Sequence, residues 1–244
     1  MSVTRSEGRL PDQLRPFFLE PGFSPYAEGS CRAVMGGTEV LVTASVEDHV
    51  PRFLRNTGLG WVTAEYGMLP RATHERTDRE AAKGKQTGRT QEIQRLIGRS
   101  LRAVVDRKAM GEIQIRLDCD VIRADGGTRC ASITGAYVAL YQAFSHLLTL
   151  EAIRKMPLQA NVAAVSCALH QGIPVLDPDY FEDRDAGADA NFVMDGHGRI
   201  IEIQCTAEGA PVEPGQFAAM LALAEKGIVD LITAQNVALM SAKT

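Results

Sequence analysis

The chain has 244 residues, of which 45% are hydrophobic and 23% charged, and its formal net charge is −4. This composition is typical of a globular protein, and the length allows one large domain or two small ones. No apolar run reaches the roughly 18 residues that a membrane span requires, and the amino terminus lacks the apolar core of a secretory signal. The five cysteines form no Cys-x-x-Cys pair, which favours reduced core residues over disulfides or a zinc site, so we expect a cytoplasmic protein.

The first part of the chain alternates between strand and helix patterns. A β-branched run over Thr38 to Val46 predicts a strand, whereas residues 56–89 are charged, aperiodic and expected to be irregular. A helix with Thr90 as its N-cap is then predicted by an apolar stripe formed by Ile93, Leu96, Ile97, Leu101, Val104 and Val105. Residues 112–121 alternate strictly between apolar and polar, as a half-buried strand does, and apolar residues over 133–147 recur at helical spacing.

After Pro157 a second series of strand and helix patterns begins. Strands are predicted over residues 162–169, 173–176, 192–194 and 199–205, with a hairpin turn at 195–198. Pro214 suits the first position of a helix, which Lys226-Gly227 is expected to interrupt before a second helical pattern over 228–240. Strands followed by helices, twice over, predict an α+β chain of two similar halves, residues 1–150 and 151–244.

The loop between the alternating strand and the long helix reads ADGGTR over residues 124–129. Its two glycines bring bare backbone to a helix N-terminus, where free N–H groups and the helix dipole favour an anion. Thr128 adds a hydroxyl donor, and Arg129 adds guanidinium donors suited to a phosphate. Asp-Gly-Gly is also a common turn sequence, so the alternative is a strand-to-helix turn that binds no anion.

A second candidate phosphate ligand, Arg89, stands just before the apolar helix. Residues 84–90 do not form a P-loop, because Arg79 stands where glycine is needed and Gln86 stands where Ser or Thr would bind magnesium. Arg89 and Arg129, each near a helix N-terminus, can hold one phosphate together. Taken alone, Arg89 is better explained by a surface salt bridge.

Four carboxylates fall within residues 182–189, directly before a predicted strand. Clustered carboxylates repel one another unless they are solvated, protonated or neutralised by a hard cation such as magnesium. Asp189 and Asn191 have the spacing to point the same way, and Asp183 can approach them from the preceding loop. The alternative is an acidic surface loop that contains a turn.

Charge is distributed unevenly along the chain. Residues 71–108 carry eleven lysines and arginines against five acids, a net charge of +6, whereas the remainder carries −10. A basic stretch on an acidic body is typical of a polyanion-binding protein, and together with the anion loop and the carboxylates it suits phosphoryl or nucleotidyl transfer. The alternative is a solvated helix face with mixed charges.

Six segments carry a resemblance to a known family. They read PDQLRP (11–16), WVTAEYGMLPR (61–71), EAAKGKQTGRT (80–90), LDCDVIRADGGTR (117–129), ASITGA (131–136) and TAEG (206–209). On these segments the chain resembles the bacterial ribonuclease PH family, whose members are phosphate-dependent 3′-to-5′ exoribonucleases (tRNA nucleotidyltransferases) that trim tRNA precursors. The resemblance covers nearly the whole chain.

The resemblance implies an orthophosphate site formed by Arg89, Gly127, Thr128 and Arg129. It also implies that Asp183 and Asp189 are catalytic residues that bind magnesium or assist departure of the ribose 3′-oxygen. Arg71, Arg76 and Arg79 match family arginines that bind the tRNA substrate.

The implied fold is a ribonuclease PH-like unit of two βαβ-type halves with mixed sheets and packed helices. The implied assembly is a homo-hexameric ring, a trimer of dimers, with RNA entering a basic opening. The chain departs from the family pattern at Arg184, Cys130 and Cys205, where serine, threonine and glycine are usual. Arg184 adjoins the proposed metal pair, where a cation would compete with magnesium.

The predicted reaction is attack of orthophosphate on the last phosphodiester of RNA, which releases a nucleoside diphosphate and reverses when nucleoside diphosphates are in excess. One rival is a catalytically silent RNA-binding ring subunit of exosome type. Such a subunit has no chemical need to keep Arg89, Arg129, Asp183 and Asp189 together. The other rival is a small-molecule nucleotide-binding enzyme, against which the long basic stretch argues.

Overall fold

The computed structural model describes residues 5–241, and its amino-terminal half is built on a five-stranded sheet. The strands are β1 (Phe17–Pro21), β2 (Gly29–Met35), β3 (Thr38–Glu47), β4 (Trp61–Met68) and β5 (Gln114–Arg123). Their order across the sheet is β1-β2-β3-β5-β4, and only β4 and β5 are parallel. Parallel neighbours need a long crossover, which the chain between Met68 and Gln114 provides with its helices.

The carboxyl-terminal half contributes a separate four-stranded sheet. It contains β6 (Val162–His170), β7 (Ile173–Leu176), β8 (Ala186–Asp195) and β9 (Ile200–Ala207), in the order β7-β6-β8-β9. The α+β class is confirmed, but the βαβ detail applies to the first half alone, because every pair in the second sheet is antiparallel. The connections there are too short for a parallel crossover.

Six α-helices complete the described residues. They are α1 (Glu80–Lys83), α2 (Gly88–Arg102), α3 (Arg107–Met110), α4 (Thr128–Thr149), α5 (Tyr180–Arg184) and α6 (Pro214–Ser241). Short 3₁₀ turns stand at Ser6–Gly8 and Arg52–Leu54.

Helix α4 lies between the two sheets and forms the centre of the core. It contacts β2 and β3 on one side and β6 on the other, and most of its residues are buried. A helix that is apolar all round is expected to be buried in this way. Gly135 permits close packing, because a Cβ added there would meet the Ala33 side chain at 2.9 Å. Phe144 and Leu140 are fully buried, which stabilises the fold by about 1.5–3 kcal/mol each.

The irregular segment predicted for residues 56–89 contains a strand, so that prediction is wrong over β4. Val62, Ala64 and Tyr66 alternate inward, but glycines and charged residues around them obscure the period of two. The strand forms on β5 and is covered by α2, so long-range packing decides its structure. From Leu69 to Thr87 the chain contains only the single turn of α1.

The N-cap of α2 is Thr87 rather than the predicted Thr90. The Thr87 hydroxyl accepts a hydrogen bond from the Thr90 backbone N–H at 3.2 Å. Thr90 is buried inside the first turn instead, and its hydroxyl donates to Glu80 Oε1 at 2.7 Å.

Helix α6 is continuous, so the predicted interruption at Lys226-Gly227 is wrong. Gly227 is buried where the helix approaches β7, and a Cβ there would lie 3.0 Å from a Leu176 methyl group. The glycine therefore serves close packing rather than termination. Neither α6 nor any other helix within residues 5–241 is long and apolar enough to cross a membrane.

Candidate active site

A cleft of about 390 Å³ opens where the glycine loop before α4 faces α5 and β8. All six residues predicted to bind phosphate or to act as catalytic carboxylates line it, namely Arg89, Gly127, Thr128, Arg129, Asp183 and Asp189. They come from both halves of the chain, so the site depends on how the two sheets pack around α4. Their proximity is a finding, and their individual roles stay predictions.

The glycine loop has a backbone that other residues adopt only with strain. Gly126 and Gly127 have φ values of 77° and 67°, in the left-handed region. A Cβ at Gly126 would also lie 2.7 Å from the carbonyl oxygen of Pro178. Gly127 is the N-cap of α4, so the free N–H groups of a 22-residue helix open toward the cleft.

Arg15 holds this loop from behind, and sequence patterns gave it no role. Its buried guanidinium donates to the carbonyl oxygens of Asp125 and Gly126. The same guanidinium forms a bidentate pair with Asp177, at 2.6 and 3.0 Å. Arg15 lies 110 residues before Asp125 in the sequence, so only its position in the PDQLRP segment hints at its importance.

Two arginines stand over the glycine loop. Arg129 donates to Gln204 Oε1 at 2.8 Å and lies 3.4 Å from Glu92 Oε1, which fixes its guanidinium. Arg89 is exposed and has no hydrogen-bonded or ion-paired partner within the described part of the chain, so its donors remain available to an anion. The salt-bridge alternative for Arg89 therefore finds no partner in residues 5–241.

Thr128 is buried at the start of α4, and its hydroxyl is within hydrogen-bond distance of Tyr66 Oη at 2.9 Å. Burial raises the pKa of Tyr66, so its hydroxyl stays protonated at neutral pH. Tyr66 was not predicted to contribute to the site. It orients a hydroxyl that lines the cleft, and it lies within a strand that sequence patterns missed.

The two carboxylates come from adjacent elements, Asp183 from α5 and Asp189 from β8. Burial raises the pKa of Asp183, and the negative charge of Asp189 raises it further. Burial likewise raises the pKa of Asp189, with Glu208 adding to the shift and Arg129 opposing it. Asp189 and Asn191 lie inside β8 rather than before it, since the strand starts at Ala186.

Helix α5 has only five residues and is held in place by buried charges. Asp179 forms a capping box with Glu182, whose carboxylate accepts hydrogen bonds from Arg5 at 2.8 Å and Arg9 at 2.9 Å. Burial would raise the pKa of Glu182, but the hydrogen bond and charge of Arg5 outweigh it, and the pKa falls to about 2. This anchor fixes Asp183, the next residue along the helix.

The carboxylates fit a magnesium ion that shares its coordination with substrate. Residues 5–241 contain no group of three or more His, Cys, Asp or Glu side chains placed to hold a metal. Magnesium is commonly bound by one or two carboxylates together with substrate phosphates and water. A cation would relieve the repulsion that raises the pKa of Asp183.

None of the three residues that depart from the family pattern lines the cleft. Arg184 forms a bidentate pair with Asp185 at 2.7 and 3.0 Å and is not among the residues that line the cleft. Its expected competition with magnesium is therefore not supported. Cys130 is buried beside Asn191 and Ser166, whereas Cys205 is exposed on β9.

The basic residues between positions 71 and 108 have different surroundings in the structure. Arg71, Arg76 and Arg79 are exposed on a segment whose Thr73 and Thr77 line the cleft. Arg76 pairs with Asp78 at 3.0 Å, and Arg71 donates to the carbonyl oxygen of His74 at 3.2 Å. Their role in binding a polyanion stays a prediction.

Arg102 and Arg107, in the later part of the stretch, pack against Trp61. The guanidinium carbons of Arg102 and Arg107 lie 4.2 and 4.9 Å from the Trp61 ring centre. Both side chains also donate to carbonyl oxygens next to Trp61. Arg102 and Arg107 therefore serve the fold, whereas Arg95, Arg99 and Lys108 of the same basic stretch remain exposed.

Fold and cleft together define a class of protein: an α+β chain whose cleft brings two arginines and a glycine loop to face a pair of carboxylates. Residues 13–145 match domain 1 of the 3′ exoribonuclease family, and residues 160–227 match domain 2. The chain belongs to this family.

The curated relatives extend over nearly the whole chain. A ribonuclease PH from Rhodospirillum rubrum is 62% identical, with 97% of this chain and 99% of the relative covered. A ribonuclease PH from Caulobacter vibrioides is 60% identical, with 96% and 99% covered. The predicted family is confirmed.

Solved structures with low sequence identity share the fold. Rice Rrp46 matches with a TM-score of 0.77 at 19% identity, covering 96% of this chain and 100% of that chain. The Archaeoglobus fulgidus exosome with RNA bound to the active site matches with a TM-score of 0.81 at 18% identity, covering 94% and 91%. These matches establish the ribonuclease PH-like fold.

Proposed function

We propose that this protein is a cytoplasmic, phosphate-dependent 3′-to-5′ exoribonuclease that trims tRNA precursors and releases nucleoside diphosphates. The observation that carries the proposal is the shared cleft, in which an anion pocket with two arginines faces a carboxylate pair. One side suits the attacking phosphate, and the other suits the departing 3′-oxygen. Family membership and the ribonuclease PH relatives support the same reaction.

In this reaction orthophosphate binds to Arg89, Arg129 and the N-terminus of α4 at Gly127 and Thr128. An oxygen of this phosphate attacks the phosphorus of the last phosphodiester in line with the departing oxygen. The new P–O bond gives a nucleoside diphosphate, and cleavage of the bond to the ribose 3′-oxygen leaves RNA one nucleotide shorter. Both bonds are phosphate linkages, so excess nucleoside diphosphate reverses the reaction.

Asp183 and Asp189 act on the leaving-group side of the cleft. They are the residues that would hold magnesium, which when bound neutralises charge developing on the 3′-oxygen. Desolvation raises the pKa of both carboxyls, while Asp183 is exposed and Asp189 half-buried at the cleft, where both can reach a substrate. Because the arginines position a phosphate rather than a water molecule, phosphorolysis is favoured over hydrolysis.

RNA binding would use Arg71, Arg76 and Arg79 along the segment that borders the cleft. A homo-hexameric ring, a trimer of dimers, would gather six copies of this basic segment although each chain carries a net charge of −4. Exposed apolar side chains on α6 are consistent with contacts between subunits, namely Val229, Val237 and Met240.

The decisive test is product analysis on a short RNA with a 3′ extension. We expect nucleoside diphosphates to form only when phosphate and magnesium are present. Release of nucleoside monophosphates without phosphate contradicts phosphorolysis. Asp189→Asn is expected to lower kcat at least about a hundredfold, since it removes a charge next to the reacting atoms. Full activity of this variant would favour a different catalytic group.

A further inference from the structure

The mouth of the cleft carries exposed aromatic side chains that the proposed reaction does not use. Tyr180 lines the cleft and is 43% exposed, and its neighbour Phe181 is 54% exposed. Their rings meet edge-on with centres 5.4 Å apart, and the His74 ring lies 6.0 Å from that of Tyr180. We call these three residues the aromatic rim. Exposed apolar surface beside a cleft marks a binding surface.

The rim stands close to the reacting groups. Tyr180 and Asp183 are three residues apart on α5, which places both side chains on one face with Cβ atoms about 5–6 Å apart. Both side chains line the same cleft. This separation is comparable to one nucleotide step along an RNA strand, so a base next to the scissile phosphodiester comes within reach of the Tyr180 ring.

The position of Tyr180 is supported by its backbone and by neighbouring rings. Its backbone N–H donates to Asp125 Oδ1 at 3.3 Å, which ties the start of α5 to the glycine loop. The His74 and Phe181 rings lie beside the Tyr180 ring, and α5 is itself anchored by Glu182. Arg184 lies over the outer face of Phe181, with its guanidinium carbon 5.3 Å from the ring centre. An exposed aromatic ring flanked by other rings is a typical platform for a nucleic acid base.

We propose that Tyr180 stacks on a base in the last two nucleotides of the RNA, with His74 and Phe181 holding its ring in place. This inference rests on the proposed function, because it assigns a further contact to the same substrate. Every base has a π-face, so stacking holds the strand without reading its sequence. A contact of this kind suits an exonuclease that advances one nucleotide at a time, whatever the base.

The kinetic test separates RNA binding from phosphate binding. Tyr180→Leu is expected to raise KM for a short RNA about tenfold, because the base loses the aromatic ring on which it stacks. KM for phosphate should stay unchanged, and Tyr180→Phe, which keeps the ring, should behave as the wild type. Tyr26→Leu is the matched control, since Tyr26 is 95% exposed and lies outside the cleft.

A binding measurement without phosphate makes the inference independent of turnover. RNA carrying 2-aminopurine at the last or second-last nucleotide should lose fluorescence on binding the wild type and Tyr180→Phe, but not Tyr180→Leu. The inference is refuted if Tyr180→Leu lowers the 2-aminopurine fluorescence as strongly as the wild type does at both positions. It is also refuted if the wild type lowers the fluorescence at neither position. Quenching without diphosphate release on adding phosphate would refute phosphorolysis alone. Diphosphate release with unchanged Tyr180→Leu binding would refute stacking alone.

Discussion

Arg5 and Glu182 are 177 positions apart in the sequence, yet the Arg5 Nη2 and Glu182 Oε2 atoms lie 2.8 Å apart in a buried ion pair. The pair places the amino-terminal segment directly behind the helix that carries Asp183. Arg9 shares the same carboxylate oxygen at 2.9 Å. The position of a candidate catalytic residue therefore depends on side chains near the start of the chain.

Replacing Glu182 should destabilise the fold and the site together. Glu182→Gln leaves two buried arginines without their carboxylate, and breaking a buried pair in this way costs about 3–5 kcal/mol. Urea denaturation should show a lower midpoint, and kcat should fall because Asp183 loses its support. The matched control is Asp12→Asn, which breaks an exposed pair with Lys226 and should leave the midpoint unchanged. Equal midpoints for the wild type and Glu182→Gln would contradict the anchoring role.

The same carboxylate predicts how stability depends on pH. The pKa of Glu182 falls from an ordinary 4.5 to about 2 in the folded protein, so the unfolded chain binds its proton more readily. The stabilisation is complete above pH 4.5 and is lost as the pH falls toward 2. Denaturation at pH 6, 4 and 3 should show a smaller acid-induced loss for Glu182→Gln than for the wild type. Parallel losses for both proteins would assign the acid sensitivity to other groups.

Arg129 is expected to control affinity for orthophosphate. Arg129→Met removes a charged donor that Gln204 and Glu92 hold in place, and KM for phosphate should rise at least about tenfold. Initial rates with phosphate varied at saturating RNA would measure this change. Arg123→Met is a suitable control, because Arg123 is exposed on β5 and lies outside the cleft. An unchanged phosphate KM in Arg129→Met would place the phosphate elsewhere.

Gly126 should tolerate no side chain. Gly126→Ala places a Cβ 2.7 Å from the Pro178 carbonyl oxygen at a φ of 77°, and the left-handed backbone alone costs about 1–2 kcal/mol. Thermal unfolding should occur at lower temperature, and phosphate affinity should fall as the loop shifts. Gly215→Ala makes the same chemical change near the start of α6, where a Cβ meets open space. That control should be neutral or stabilising, since alanine is the better helix former.

The parts of the site that were predicted share a local signal. Residues 112–121 and 133–147 show clear periodicity, and the glycines between them mark the loop, so this strand, loop and helix could be recognised in sequence. Strand β4 was missed because its pattern is weak and its structure depends on pairing with β5. No local pattern predicts the buried ion pairs of Arg15 and Glu182, because their partners, Asp177 and Arg5, lie more than 160 residues away.

The buried ion pairs behind the site also determine when, during synthesis, the site can be completed. Arg5, Arg9 and Arg15 leave the ribosome first, while Asp177 and Glu182, the acids that neutralise them, are made more than 160 residues later. The nascent first half thus carries three basic side chains whose buried environment does not yet exist. Its amino-terminal segment can close over the molecule only after the second half has been translated, so the cleft is completed late in synthesis.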